Sequence, residues 1–194
     1  MKIKNICVNC GSNNGARPEY HNAAVELGKY LAENGIGLVY GGAGVGLMGA
    51  VASSVMENGG KAIGVIPESF ADRVAHNNLT ELHIVSTMHE RKTMMFDLSD
   101  GFIALPGGMG TIEEIFEVLT WAQLGFHKKP CGLLNICWYY DSMLAFIKNA
   151  VDQGFVRKEH ADMLLVEVDP GRLINGFRDY KAIPVDKWID NKRT

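Results

Sequence analysis

The sequence predicts an α/β protein of three layers, with a mostly parallel sheet of about seven strands between two layers of helices. Short β-rich runs alternate with helical runs from one end of the chain to the other, and each strand run closes on Gly, Ser or Pro. A length of 194 residues, with 47% hydrophobic and 21% charged side chains, fits one globular domain over 1–194. No internal repeat, low-complexity run or linker interrupts it.

Each element has its own reason. Strand one covers Asn5 to Asn9, and a polar loop through Gly15 leads to a helix opening near Pro18, a residue suited to a first helical position. Tyr20, Ala23, Ala24, Leu27 and Leu31 give that helix one apolar stripe, and Asn34 and Gly35 end it. Strand two, Gly37 to Tyr40, runs into the glycine loop GGAGVGLMGA and a helix to about Glu57. Strand three is Ala62 to Ile66, closed by Pro67. The segment Glu68 to Thr80 lacks a sustained period and reads as a surface loop or short helix. Strand four is Leu82 to Val85; Thr87 and Glu90 then form a capping box for a helix from Met88 to about Leu98. Phe102 to Leu124 reads as a buried strand, a glycine-rich turn and an amphipathic helix. Strand six is Gly132 to Ile136, followed by a helix from Asp141 to about Gln153. Strand seven is Leu164 to Val168, and Asp169 with Pro170 opens a last helix. The tail from Lys181 is polar and is expected to pack as an irregular strap.

Charge and apolar runs exclude several classes. The net charge of −3 argues against nucleic acid as a partner, since backbone binders carry a basic surplus. No apolar run approaches the ~18 residues of a membrane span, and the opening MKIKNICVNCGS is too polar for a signal peptide, so the expected location is cytoplasmic. Cys7 and Cys10 form a C-x-x-C within an apolar strand, where reduced core cysteines are the default; Cys131 and Cys137 do not repeat the spacing of a zinc site. No His, Asp or Glu spacing looks like a metal site, and His76 and His89 read as loop or surface histidines.

In a parallel sheet ligands bind beyond the carboxyl ends of the strands. That rule brings the loops Cys10 to Ser12, Gly41 to Gly49, Ser86 to Lys92 and Pro106 to Glu114 onto one rim. Gly107, Gly108 and Gly110 leave N–H groups uncovered where a helix begins, which is an anion site. Glu114 lies one turn further on, either serving another part of the ligand or closing a Thr111-x-x-Glu114 capping box. Arg91 shares a helix face with Met88, Met95 and Leu98; its head either reaches water or turns to the rim to meet an anion. Lys92 reads as a second phosphate contact. Gly44-x-Gly46-x-x-Gly49 with Glu68 matches a dinucleotide fingerprint, a pattern that also marks plain helix-to-strand packing.

PGGMGTIEE at Pro106 to Glu114, MHERK at Met88 to Lys92 and the glycine loop together resemble the LONELY GUY family of cytokinin riboside 5′-monophosphate phosphoribohydrolases. The resemblance spans nearly the whole chain and meets every defined position of the family's PGGxGTxxE pattern. It implies a Rossmann-like fold and hydrolysis of the N-glycosidic bond of N6-substituted AMP, and of AMP itself, with no cofactor and no metal. It also implies a homodimer whose site is completed across the interface. On that resemblance Arg91 and Glu114 carry the chemistry, Gly108, Met109, Gly110 and Thr111 hold phosphate and ribose, and Lys92 and Thr120 border the nucleotide. Ser12, Gly42, Met88, Gly107, Ile112 and Glu113 are the further expected substrate contacts. A second class, a non-catalytic nucleotide or phosphorylated-cofactor carrier, shares such glycine loops and predicts tight binding without turnover.

Overall fold

Along β1 (Asn5–Asn9), Ile6 and Val8 point into one apolar core and Cys7 into another, and all three are buried. The same alternation recurs in β2 (Gly37–Tyr40), where Leu38 and Tyr40 oppose Val39, and in β5 (Gly101–Ala104), where Ile103 opposes Phe102 and Ala104. Strands buried on both faces belong to the middle of a three-layer α/β fold. A computed structural model describes residues 2–183. The remaining strands are β3 (Ala62–Pro67), β4 (Glu81–Val85), β6 (Cys131–Leu134) and β7 (Leu164–Glu167). All pair in parallel, in the order β4-β3-β2-β1-β5-β6-β7.

One core lies under α1 (Pro18–Glu33), α2 (Gly46–Glu57) and α8 (Pro170–Asp179); the other lies under α4 (Met88–Asp97) and α5 (Met109–Gln123). Leu27, Leu31, Val51 and Val55 knit α1 to α2, and Phe177 anchors α8. Met95, Ile115 and Val118 seat α4 and α5 on the opposite face.

The order steps outward from β1 to β4, then jumps to β5 on the other side of β1. The chain therefore reverses direction across the sheet between β1 and β5, and this reversal opens a crevice at their carboxyl ends. The two loops there are tied together, Gly11 N–H donating to the Pro106 carbonyl at 3.0 Å.

One strand is shorter than expected and one helix is additional. The strand expected to reach Ile136 ends at Leu134, because Asn135 turns the chain: its side chain donates to Asp141 Oδ1 and accepts from Tyr140 N–H, both at 2.7 Å. Residues Ile136–Trp138 then form a 3-10 turn, with Cys137 and Trp138 at φ 52° and 60°. After α6 (Asp141–Asp152) there is a short helix that the sequence did not announce, α7 (Lys158–Ala161). The segment after β3 is a short helix, α3 (Glu68–Val74), with none of its residues buried. Of the polar tail, residues 181–183 carry no helix or strand, and 184–194 lie outside the described residues.

Candidate active site

The first turn of α4 is fixed by a capping box. Glu90 N–H donates to Thr87 Oγ1 at 3.1 Å, and the Glu90 carboxylate accepts from the N–H groups of Ser86 and Thr87. Arg91 is then carried inward at the rim. Its side chain is buried, with Nε donating to the Val65 carbonyl at 3.2 Å and Nη1 to Glu114 Oε1 at 2.5 Å. Nη1 also lies 3.4 Å from the Met88 sulfur. A Cβ on Gly41 would sit 2.4 Å from Arg91 Nη2, so a residue without a side chain is required there. Of the two readings open for Arg91, the head turned to the rim is the one observed.

Glu114 likewise leaves the cap. The N-cap of α5 is Gly108, with no side-chain cap hydrogen bond, so Thr111 lies within the helix and Glu114 faces Arg91 instead. The helix start is thus left with orphan N–H donors on a positive dipole end. The three glycines of the turn have different reasons. At Gly107 a Cβ would lie 2.1 Å from Thr111 Oγ1 and 2.8 Å from Gly11 N, so packing demands glycine. At Gly108 and Gly110 a Cβ would meet nothing within 4 Å. Packing does not explain those two; open space above bare amides does.

The ion pair and helix start open on a cleft of ≈ 440 Å³, within the range of small-molecule sites. Ser12, Met88, Arg91, Gly110, Glu113 and Glu114 line it, together with Val45, Ile66 and Phe70. A smaller hollow of ≈ 250 Å³, reached through Ser12, is walled by Asn13, Tyr20, Gly107, Gly108 and Tyr139.

A family model described as possible lysine decarboxylase matches residues 48–176. The cytokinin riboside 5′-monophosphate phosphoribohydrolase LOG of Oryza sativa subsp. japonica is 48% identical over 180 residues, covering 92% of this chain and 74% of that one. A cytokinin riboside 5′-monophosphate phosphoribohydrolase of Arabidopsis thaliana is 43% identical over 194 residues, covering 100% and 90%. The chain belongs to the LONELY GUY family. A molybdenum cofactor binding protein of Rippkaea orientalis shares the LONELY GUY chain's fold at a TM-score of 0.70, with 22% identity over 92% of this chain and 98% of that one. The molybdenum cofactor carrier protein of Chlamydomonas reinhardtii does so at 0.67, with 21% identity and the same coverage. At such identities the likeness is one of fold.

The decarboxylase description finds no support at Lys92 of this LONELY GUY chain. Its Nζ donates to Glu113 Oε1 at 2.7 Å and Glu117 Oε1 at 2.9 Å, and the Glu113 hydrogen bond foremost raises its pKa. An amine held protonated is a poor Schiff-base former. The same bonds engage the ammonium that was expected at phosphate.

The other expected contacts divide. Gly42 stands one residue behind the cleft wall, at φ 75°, its carbonyl accepting from His76 N–H. Thr111 is buried beneath Gly107 and Ile112 is half-buried, while Met109 and Thr120 are exposed outside both openings. The fingerprint glycines serve packing: a Cβ on Gly46 would lie 2.3 Å from the Ser12 backbone, and Leu47 N–H donates to the Gly11 carbonyl at 3.0 Å. Cys7, Cys10 and Cys131 are free and buried, and burial pushes the Cys131 thiol up to about 12, as inert core thiols require. Among the described residues no cluster of three or more His, Cys, Asp or Glu side chains is placed to hold a metal ion.

Sequence reasoning missed Tyr139 and Tyr140. Tyr139 Oη donates to the Gly107 carbonyl at 2.5 Å and Tyr140 Oη to the Leu105 carbonyl at 2.6 Å, so adjacent phenols grip the turn from behind. The signal was available, because the loop after β6 ends on the same rim as the other four.

Proposed function

We propose that this LONELY GUY protein hydrolyses the N-glycosidic bond of N6-substituted adenosine 5′-monophosphates and of AMP, releasing the free base and ribose 5-phosphate. The observation that carries the reading is a partly buried arginine–carboxylate pair whose Glu114 lies within two helical turns of an uncapped helix start, with Arg91, Glu114 and Gly110 lining one cleft.

On this reading the 5′-phosphate sits on the N–H groups of Gly108 to Thr111, where the α5 dipole and the orphan donors favour an anion. Glu114 lies three residues beyond Thr111 and six beyond Gly108, about 5 to 9 Å at 1.5 Å per residue, a fitting offset for a carboxylate beside the ribose. As the C1′–N bond breaks, positive charge grows on the ribose ring. Glu114 stabilises that charge and orients the water whose oxygen bonds to C1′, while the water's proton balances the departing base. Arg91 fixes Glu114 in place, with its own Nε held by Val65. Phosphate binding, remote from the scissile bond, contributes orientation to the reacting centre.

The working unit we propose is a homodimer of one-domain chains that share the site, in the cytoplasm. Met109, at the head of the catalytic helix, is 85% exposed, which supports a neighbour covering it. Free cysteines and the absence, among the described residues, of any helix long and apolar enough to cross a membrane support the compartment. Sedimentation at micromolar concentration should give twice the 21.3 kDa chain mass; a monomer there contradicts the shared site.

The test of the activity is direct. Incubation with AMP and with N6-isopentenyl-AMP should release base and ribose 5-phosphate in equal amounts, read by chromatography. Binding without release from any nucleoside monophosphate would overturn the reading.

A further inference from the structure

Helix α3 poses a question that the Arg91–Glu114 chemistry leaves open. None of its residues is buried, yet it is tied down at several points. Gly44 N–H donates to the Val74 carbonyl at 2.7 Å, and His76 N–H to the Gly42 carbonyl at 2.9 Å, around an antiparallel bridge between Ala43 and Ala75. The His76 ring completes the attachment. Its Nδ1 accepts from Asn78 N–H at 3.2 Å, which places the ring proton on Nε2, and Nε2 donates to Ser53 Oγ on α2 at 3.1 Å. Burial lowers the pKa of His76, which favours this neutral form.

What the attachment holds is a wall of the cleft. Phe70 and Val74 line it from α3, together with Val45 and Met88. Phe70, Met88 and Val45 are 47%, 45% and 40% exposed, an uncovered apolar surface drawn from three separate elements. Ser12 and Gly110, the latter in the first turn of α5, line the same cleft. A nucleotide anchored at that turn by its phosphate, with its ribose at Glu114, leaves its base to the rest of the lining, which includes Phe70 and Val74 of α3.

We propose that α3 is the specificity wall of this site: Phe70 receives an apolar substituent on the base, and His76 is the positioning residue that holds the wall through Ser53. The inference rests on the phosphoribohydrolase reading. It assigns discrimination between substituted and plain adenine nucleotides to a segment with no part in bond breaking.

The experiment compares kcat/KM for N6-isopentenyl-AMP and for AMP in the full-length protein. In Phe70→Ala and His76→Ala the ratio should fall about tenfold, in line with the small discrimination that one apolar contact provides, and the change should lie in KM rather than kcat. His76→Gln, whose amide can both donate to Ser53 and accept from Asn78, should keep the ratio within about twofold of wild type. Phe70→Ala guards against a folding artefact, since α3 contributes nothing to the core. A wild type that turns over both nucleotides, with variants that keep its ratio, overturns the inference alone. Failure of the wild type to release base from either nucleotide overturns the activity and the inference with it.

Discussion

Gly41 has no side chain because Arg91 occupies the space. A methyl group there would lie 2.4 Å from Nη2, and the guanidinium cannot retreat without losing Val65 or Glu114. Gly41→Ala should therefore leave the protein folded but lower kcat/KM by about a hundredfold, the loss that an ~1 Å misplacement of a catalytic group can produce. A variant with wild-type turnover would show that the position of Arg91 is not critical. This dependence also explains what could be read beforehand. MHERK and PGGMGTIEE were both visible, yet Arg91 and Glu114 each carried two readings, because the choice lay with Val65 and Gly41, distant in the chain. The partners of Lys92 were hidden for the same reason: Glu113 and Glu117 reach it from another helix.

At the scale of the element, α5 separates glycines that pack from glycines that leave room. Gly107→Ala should lose about 1–3 kcal/mol of stability, because the new methyl runs into Thr111 and Gly11. Gly108→Ala meets no neighbour, and Gly110→Ala even removes a helical glycine worth about 1 kcal/mol. Gly110→Ala should match or exceed wild-type thermal stability, Gly108→Ala should lose up to about 1 kcal/mol because alanine is a poor N-cap, and both should raise KM for the nucleotide. Unchanged KM in both would remove the phosphate from this turn. Helix boundaries were legible wherever a cap or proline marked them, as at Pro18, Thr87 and Asp169. The 3-10 turn after β6 was not, since two non-glycine residues with positive φ depend on the Asn135 and Tyr140 contacts rather than on local preference.

For the whole molecule, the alternation of strands and helices revealed a parallel sheet, and the parallel sheet revealed the rim. The strand order, and with it the crevice between β1 and β5, is a property of packing that no single run spells out. Stability should also carry a pH signature. His127 donates from Nε2 to the Val118 carbonyl at 2.7 Å and accepts at Nδ1 from Lys129 N–H at 3.0 Å, so the folded ring is neutral. Burial, with Lys129 nearby, lowers its pKa, as burial lowers that of His76. The unfolded chain takes up protons near the ordinary value of 6.5 while the folded chain does not, so stability falls as pH drops through that value and below. The melting temperature should be lower at pH 5.5 than at 7.5, and His127→Gln should narrow the gap; an unchanged gap would contradict the assignment.

In the proposed reaction Glu114, held by Arg91, breaks the glycosidic bond of a nucleotide anchored on α5. Release of free base from N6-isopentenyl-AMP by wild type and by Glu114→Gln, measured beside nucleotide binding, tests it most directly. The expected result is rapid release by wild type and a loss of about 10²- to 10⁴-fold in the variant, with binding retained. Equal release by both proteins would contradict it.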